Sequence, residues 1–380
     1  MSTRKRKANE TRSTQSVKSG VSEATHPKRT KSSSWPGLVV IAFALATVAG
    51  AIYYAWSDAK NSENESNFDS VEERDASIFY VQDIPGKGKG VIAARDIQPG
   101  ELIIHEDPLF IVPPKISVSP SALIHSNLQR VDPKAREAFF NLSYVNLPAH
   151  VDPEEDEAEV ALAIFQTNAV AAGDGVGIFP RMARLNHGCS SAFNVVYTWR
   201  EKEGALVVHA LKGITKGQEL LTTYATMRKP RDFRRAFLRE RYGFECQCDV
   251  CSLPEELSKG SDERLVAISD LYSRFATWGQ ELIDGMEAID VVKKIWALGD
   301  EEGYLSERGQ LAADAAWVAA AHSDAAATRE WAKVALRWYS YELGSDSEQS
   351  EHMSMIMENP RLHRSWGTRG VLSVGRPDGS

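Results

Sequence analysis

The four cysteines of this chain fall where one metal ion could gather them: Cys246-Gln247-Cys248-Asp249-Val250-Cys251, and Cys189 within Asn186-His187-Gly188-Cys189. Thiolate is the preferred soft ligand of a closed tetrahedral zinc site, and such a site needs four protein ligands. The C-x-C-x-x-C run supplies three, and a single cysteine remains for the fourth. A zinc ion bound by all four would tie segments 57 residues apart into one local structure. The alternative is four unrelated thiols, but this spacing seldom arises by chance in a chain so poor in cysteine.

Three further motifs flank the cysteines in a fixed order. Gly86-Lys87-Gly88-Lys89-Gly90 is a glycine triplet, a pattern that usually does no more than turn the chain. Gly217-Gln218-Glu219-Leu220-Leu221-Thr222-Thr223-Tyr224 ends a strand pattern on a tyrosine, and Tyr242-Gly243-Phe244 leads into the cysteine run. Taken singly each is weak, since a tyrosine closing a strand usually packs. His105, His125 and His209 have no second histidine or carboxylate at metal spacing and read as structural.

These motifs need elements to position them. Ile78–Val81, Val91–Ala94 and Leu102–Ile104 read as strands, the last two joined at Pro99-Gly100. Between 120 and 172 the apolar period becomes helical, with an acidic loop from Pro148 to Asp156. Strands return at Asn194–Trp199, Leu206–Ala210 and Glu219–Tyr224, and Pro230 opens a basic amphipathic helix to about Tyr242. Beyond Leu253 the pattern is helical, near 262–278, 286–298, 306–322 and 324–343, with lengths and spacings of helix pairs that loosely resemble a tetratricopeptide array. Residues 346–380 read as a tail, mobile from Met353 onward.

Charge is unevenly placed. The net charge is −8, yet residues 1–34 carry nine Lys/Arg against Glu10 and Glu23, so the remainder stands at −15. An acidic body argues against direct nucleic-acid binding and suits a lysine-rich protein partner. The basic arm 1–34 has the composition of disorder. After it, Leu38 to Trp56 runs 19 residues without a charge, about 28 Å as a helix. With aromatic residues at its ends, the segment 35–57 reads as a transmembrane helix or signal anchor, and 58–76 as a linker. A cleaved signal peptide fits less well, because the charged stretch before it is long. The expected location is therefore a single-pass membrane anchor, in the endoplasmic reticulum or nuclear envelope, with a nuclear protein as the alternative. The basic arm favours a lumenal body and the thiols a reducing compartment, so orientation stays open.

Taken together, the four motifs resemble the SET-domain protein-lysine methyltransferases with a cysteine-rich post-SET segment, and most closely the SMYD-like branch. The resemblance covers roughly 77–252. The chain is similar to fungal-type members, since no cysteine lies between Gly90 and Cys189 to build a MYND finger. It implies an α+β fold: a SET β-fold with a helical insert at 120–172 and a zinc-bound post-SET segment, followed by an all-α region over 253–345. It implies S-adenosyl-L-methionine held by Lys87, Gly88, Lys89 and Gly90, by Asn186 and His187, and against Tyr224 and Phe244. It implies Tyr224 and Tyr242 as the catalytic pair lining a lysine channel, and Cys189, Cys246, Cys248 and Cys251 on a structural zinc ion. The substrate would be a lysine in a histone or another protein. A SET scaffold without turnover, binding partners through its helices, is the alternative. Two departures stand out: Gly188 replaces the usual serine after Asn-His, and Cys189-Ser-Ser-Ala-Phe-Asn194 is longer than the usual Cys-x-Pro-Asn, which leaves the placement of Asn194 in doubt.

Overall fold

The computed structural model describes residues 77–225 and 228–378. The N-terminal half of this region is built from short strands. Strands β1 (Phe79–Ile84) and β2 (Gly88–Ala93) form a hairpin closed by the Lys87 N–H donating to the Ile84 carbonyl at 3.0 Å. Gly88 sits at φ 73°, a conformation that costs a side-chain-bearing residue energy. Strands β3 (Leu102–Glu106), β4 (Ile111–Val112), β5 (Val170–Ala172), β6 (Gly175–Gly177), β7 (Asn186–His187), β8 (Val195–Arg200), β9 (Ala205–Ala210) and β10 (Glu219–Thr222) follow. They assemble into three sheets, in the orders β1-β2-β10-β7, β3-β9-β8 and β4-β6-β5.

Strand β10 is the hinge of the site. It pairs antiparallel with β2 through Glu219↔Ile92 and Leu220↔Val91, and parallel with β7 through Leu221↔Asn186 and Thr222↔His187. The glycine turn, the Asn-His pair and the approach to Tyr224 are thereby brought to adjacent strands. Val91, Ala93, Ile103, Ile104, Leu206 and Val208 fill the core beneath them.

The helical insert comprises α1 (Pro120–Leu128), α2 (Pro133–Phe140) and α3 (Glu157–Asn168), each capped by a side chain, from Ser119, Asp132 and Asp156. Helix α4 (Arg231–Tyr242) begins after Pro230 and ends on Gly243 in the left-handed region, which turns the chain toward the cysteine run. Helices α5 (Glu255–Ala276), α6 (Gly285–Glu302), α7 (Arg308–Ala321), α8 (Ala325–Glu342) and α9 (Glu348–Glu358) share a second core around Trp278, Val292, Leu311, Ala316 and Trp331.

Two expectations need correction. The tail predicted beyond residue 345 is part of this core: α9 buries Met353 and Ile356, Val374 is buried beside them, and the Trp331 indole donates to the Gly375 carbonyl at 3.1 Å. The single-pass membrane anchor is also withdrawn. Among the described residues no helix is long and apolar enough to cross a membrane. The longest, α5, carries charged residues throughout its length, whereas a span must be apolar over about 20 residues. Leu38–Trp56, on which that expectation rested, lies outside the described residues.

Candidate active site and thiol site

The loop after β7 starts at Cys189 and makes a 3-10 turn over Ser190–Ala192. It places Cys189 Sγ 4.0 Å from Cys246 Sγ and 3.6 Å from Cys251 Sγ. All four thiol sulfurs lie within 4.8 Å of one another, and all four cysteines are buried and free of disulfides. Zinc–sulfur bonds of about 2.3 Å in a tetrahedron set sulfurs about 3.8 Å apart, so these residues fit a zinc ion held by four thiolates. Cys248 also accepts the Cys189 backbone N–H at 3.4 Å. Hydrogen bonds from Cys189, Cys246 and Cys251 hold its thiol far below the ordinary range, the state a metal ligand needs.

A buried cation faces this cluster, and its neighbour Arg235 donates to the Cys246 and Cys251 carbonyls. Arg234 on α4 is 1 % exposed and pairs with Asp262 at 3.1 Å. Burial works against its charge, but Cys189, Cys251 and Asp262 more than offset it, and its pKa lies above the ordinary value. A tetrathiolate zinc site carries net negative charge, and Arg234 is placed to balance it.

Next to the thiols stands an aromatic cluster. Tyr224 and Tyr242 have ring centroids 5.0 Å apart, and His187 lies 5.3 Å from Tyr224 and 6.3 Å from Phe244. The Tyr224 hydroxyl donates to the Leu185 carbonyl at 2.6 Å, and its backbone N–H donates to His187 Nδ1 at 3.0 Å. Burial pushes the Tyr224 phenol well above its ordinary pKa, with Tyr242, Tyr197 and Glu219 adding to the shift. The Tyr242 and Tyr197 phenols are also raised, by burial first. His187 is pushed down to about 4 by burial, so its imidazole is neutral at physiological pH.

On the other side of β7, Asn186 Nδ2 donates to Glu219 Oε1 at 2.9 Å and to the Lys89 carbonyl at 3.3 Å. Lys87 pairs with the other oxygen of Glu219 at 2.6 Å. Glu219 therefore clamps the glycine turn to Asn186. A Cβ on Gly90 would displace the side-chain ends of Ile84, Asn186 and Glu219, so the glycine lets these three close on the turn.

Of the residues read from the sequence, Lys87, Lys89 and Gly90 gather on Asn186 and Glu219, Tyr224 and Phe244 stand by His187 with Tyr242 against Tyr224, and the four cysteines cluster beside His187, while Gly88 turns the hairpin. Two contributors escape a reading of the sequence: Tyr197 looks like an ordinary alternating strand residue, and Arg234 like one of several solvated arginines on a basic helix. Glu219 belongs to the Gly217–Tyr224 motif, and the structure gives it a structural role as the clamp on Asn186 and Lys87. The longer 189–194 loop leaves Asn194 fully buried. Its side chain donates to the Glu219 carbonyl at 2.9 Å and accepts the Leu221 N–H at 2.8 Å, so it splices into the edge of β10. Two clefts of about 490 and 530 Å³ run along α5, lined mainly by charged side chains, and neither includes any of these residues.

Comparison with known proteins bears on this arrangement. The SET domain family matches residues 88–225. Histone-lysine N-methyltransferase set5 of Schizosaccharomyces pombe is 30% identical over 292 residues, covering 76% of this chain and 86% of that protein. Histone-lysine N-methyltransferase SMYD3 of Mus musculus is 31% identical over 147 residues, which span 36% of this chain and 33% of its own length. The solved structure of Rubisco LSMT bound to AdoMet aligns over 78% of this chain and 92% of that one, with 12% identity and a TM-score of 0.34, too distant to support any inference.

Proposed function

Because this chain belongs to the SET-domain family of protein-lysine methyltransferases, we propose that Tyr224 and Tyr242 are its catalytic pair, and that Lys87, Gly88, Lys89, Gly90, Asn186, His187, Tyr224 and Phe244 hold S-adenosyl-L-methionine. The enzyme transfers a methyl group from that cofactor to the side-chain amine of a protein lysine. The carrying observation is the facing of the Tyr224 and Tyr242 rings, 5.0 Å apart, with the Tyr224 hydroxyl proton committed to the Leu185 carbonyl.

S-adenosylmethionine supplies an electrophilic methyl group on a sulfonium sulfur. The lysine amine must attack with a free lone pair, although its ordinary pKa is near 10.4. A pocket walled by Tyr224, Tyr242 and Phe244 disfavours the ammonium by desolvation. With its proton given to Leu185, Tyr224 Oη presents lone pairs to the pocket. It accepts an N–H of the amine and so turns the amine lone pair toward the methyl group. Both phenols are held above their ordinary range, so neither serves as a base near neutral pH, and the ammonium proton leaves to solvent before attack. The rings also accommodate the methylated cation that forms.

The four cysteines would hold a structural zinc ion that fixes Tyr242 and Phe244 over the pocket. We take residues 77–252 as the catalytic unit and 253–345 as a helical unit, with the 346–378 segment packed into it. Histones suit the acidic body as substrates, and direct nucleic-acid binding does not. The test is transfer of labelled methyl groups from S-adenosylmethionine to core histones and to a lysine peptide array. Label on lysine is expected. Cofactor binding by calorimetry without label on any substrate would overturn the assignment.

A further inference from the structure

We propose that His187 is a positioning residue that couples the four-thiol site to Tyr224, its imidazole fixed in the Nε2–H form between Cys189 Sγ and the Tyr224 backbone amide. A backbone N–H can only donate, so His187 Nδ1, 3.0 Å from the Tyr224 nitrogen, accepts. A neutral imidazole then carries its proton on Nε2, which lies 3.2 Å from Cys189 Sγ. The sulfur is the acceptor, and it accepts best as a thiolate. That same sulfur belongs to the metal-binding set, 3.6 Å from Cys251 and 4.0 Å from Cys246.

The two anchors of Tyr224 both return to one short stretch of chain. Its hydroxyl is held by the carbonyl of Leu185, and its amide by the ring of His187, two residues on. The first anchor is backbone and permanent. The second is a side chain whose orientation depends on the acceptor at Cys189. Loss of the metal lets the Cys189 sulfur take up a proton, which weakens it as an acceptor, and a block on that sulfur does the same; either loosens the imidazole, and the Tyr224 amide with it. Charge at the thiol site is thereby read out at the reacting tyrosine across a single ring. His187 is buried beside Tyr224 and Phe244, and each ring nitrogen has a protein partner.

The link to catalysis rests on the assignment of Tyr224 above, whereas the tautomer and the link to the metal do not. The test uses the full zinc-loaded chain and two variants, His187→Phe and His187→Gln. Long-range nitrogen–proton NMR of the wild type should show His187 protonated at Nε2 and bare at Nδ1. Zinc release to a chromophoric chelator should be about tenfold or more faster in His187→Phe, the usual cost of removing a group that orients a ligand. Glutamine can accept at Oε1 and donate at Nε2, so His187→Gln should bring the release rate back to within a few-fold of wild type. In the methyl-transfer assay, kcat should fall in His187→Phe by more than cofactor affinity does, with partial recovery in His187→Gln. A proton on Nδ1, or zinc release from His187→Phe at the wild-type rate, would overturn the coupling. If His187→Phe does not fold, the wild-type tautomer and the glutamine variant decide the matter alone. The expected tautomer and release rates in a chain that transfers no methyl group would support the coupling and overturn the methyltransferase assignment.

Discussion

The backbone nitrogen of Phe193 lies 2.9 Å from where a Cβ on Gly188 would stand, with the Ala192 carbonyl carbon at 3.0 Å. The two departures from the usual SET pattern are therefore one. The 189–194 loop is longer, it folds back over residue 188, and only glycine leaves room for it. Gly188→Ser should be destabilising, because the atoms it meets are backbone and cannot swing aside. Overpacking of this kind costs about 1–3 kcal/mol. A thermal melt of the variant should fall by several degrees, with reduced zinc content, since Cys189 lies in the same loop. A melt superimposable on wild type would show that the loop yields freely.

Tyr224→Phe removes the hydroxyl that orients the amine and leaves the ring in place. It should lower kcat at least tenfold with little change in S-adenosylmethionine affinity, because the lost interaction acts on the reacting group. Phe244→Ala should do the reverse, weakening cofactor binding by about three- to tenfold through lost ring contact. Calorimetry and steady-state kinetics on the two variants separate these effects. Equal losses in both parameters for both variants would show that the pocket is misassigned.

The site was legible in the sequence where chemistry follows from residue type and order. Cys246, Cys248 and Cys251 announce a metal by spacing, and Tyr224 and Tyr242 stand beside strand and helix ends that bring them together. The partners of these residues were not legible. Arg234 repeats the pattern of its neighbours on a basic helix, and its burial follows from the thiols and the Asp262 carboxylate that α4 packs against. The last segment failed for a related reason. Met353 and Ile356 keep helical i,i+3 spacing, but only across one short, largely polar helix, and Val374 reaches the core from a stretch without regular structure. Ties such as Lys293 to Asp378, 2.7 Å apart, have no local signal at all.

The pH dependence of methyl transfer follows from the phenols. Burial raises both Tyr224 and Tyr242, so their neutral forms persist above the usual tyrosine range. The group that titrates is the substrate amine, which is active only when deprotonated. The rate at subsaturating substrate should thus rise with pH from 7 toward 9, close to tenfold per unit while the amine remains mostly protonated. No falling limb from tyrosine ionisation should appear in that interval. A bell-shaped profile centred near neutrality would identify a base among the pocket residues and revise the role of Tyr224.

Cys248→Ser should strip the metal. Cys248 accepts the Cys189 backbone amide and its thiol pKa is lowered by hydrogen bonds from the other three, so its loss removes a ligand tied to both segments of the site. Elemental analysis should find one zinc per wild-type chain and a small fraction of that in the variant, with a lowered melting temperature, because ligand binding and folding are coupled at such sites. A metal-free wild type of undiminished stability and activity would refute the ligand assignment.

Glu302, at the end of α6, connects the helical region to the thiol loop. It accepts from Ser190 Oγ at 2.9 Å and Ser261 Oγ at 2.6 Å, and pairs with Arg264 at 2.8 Å. Ser190 directly follows Cys189 and holds φ at 46°, a strained value for a residue with a side chain. Edge-to-face packing of Phe193 on Tyr304, with centroids 6.2 Å apart, reinforces the same junction. The Glu302 side chain is 2 % exposed while that of Arg264 is 30 % exposed, so removing the carboxylate strands two buried hydroxyls and one half-hydrated cation. Glu302→Ala should cost about 1–3 kcal/mol, below the figure for a fully buried pair. If the helical region holds the loop in its strained turn, the loss should go beyond stability. Zinc release should quicken and kcat should fall, although Glu302 is remote in sequence from every pocket residue and touches none of them by hydrogen bond. Glu302→Gln, which keeps an acceptor for the serines, should recover most of the zinc retention but not the pairing with Arg264. A variant destabilised as expected but with wild-type zinc release would confine Glu302 to packing the two regions together.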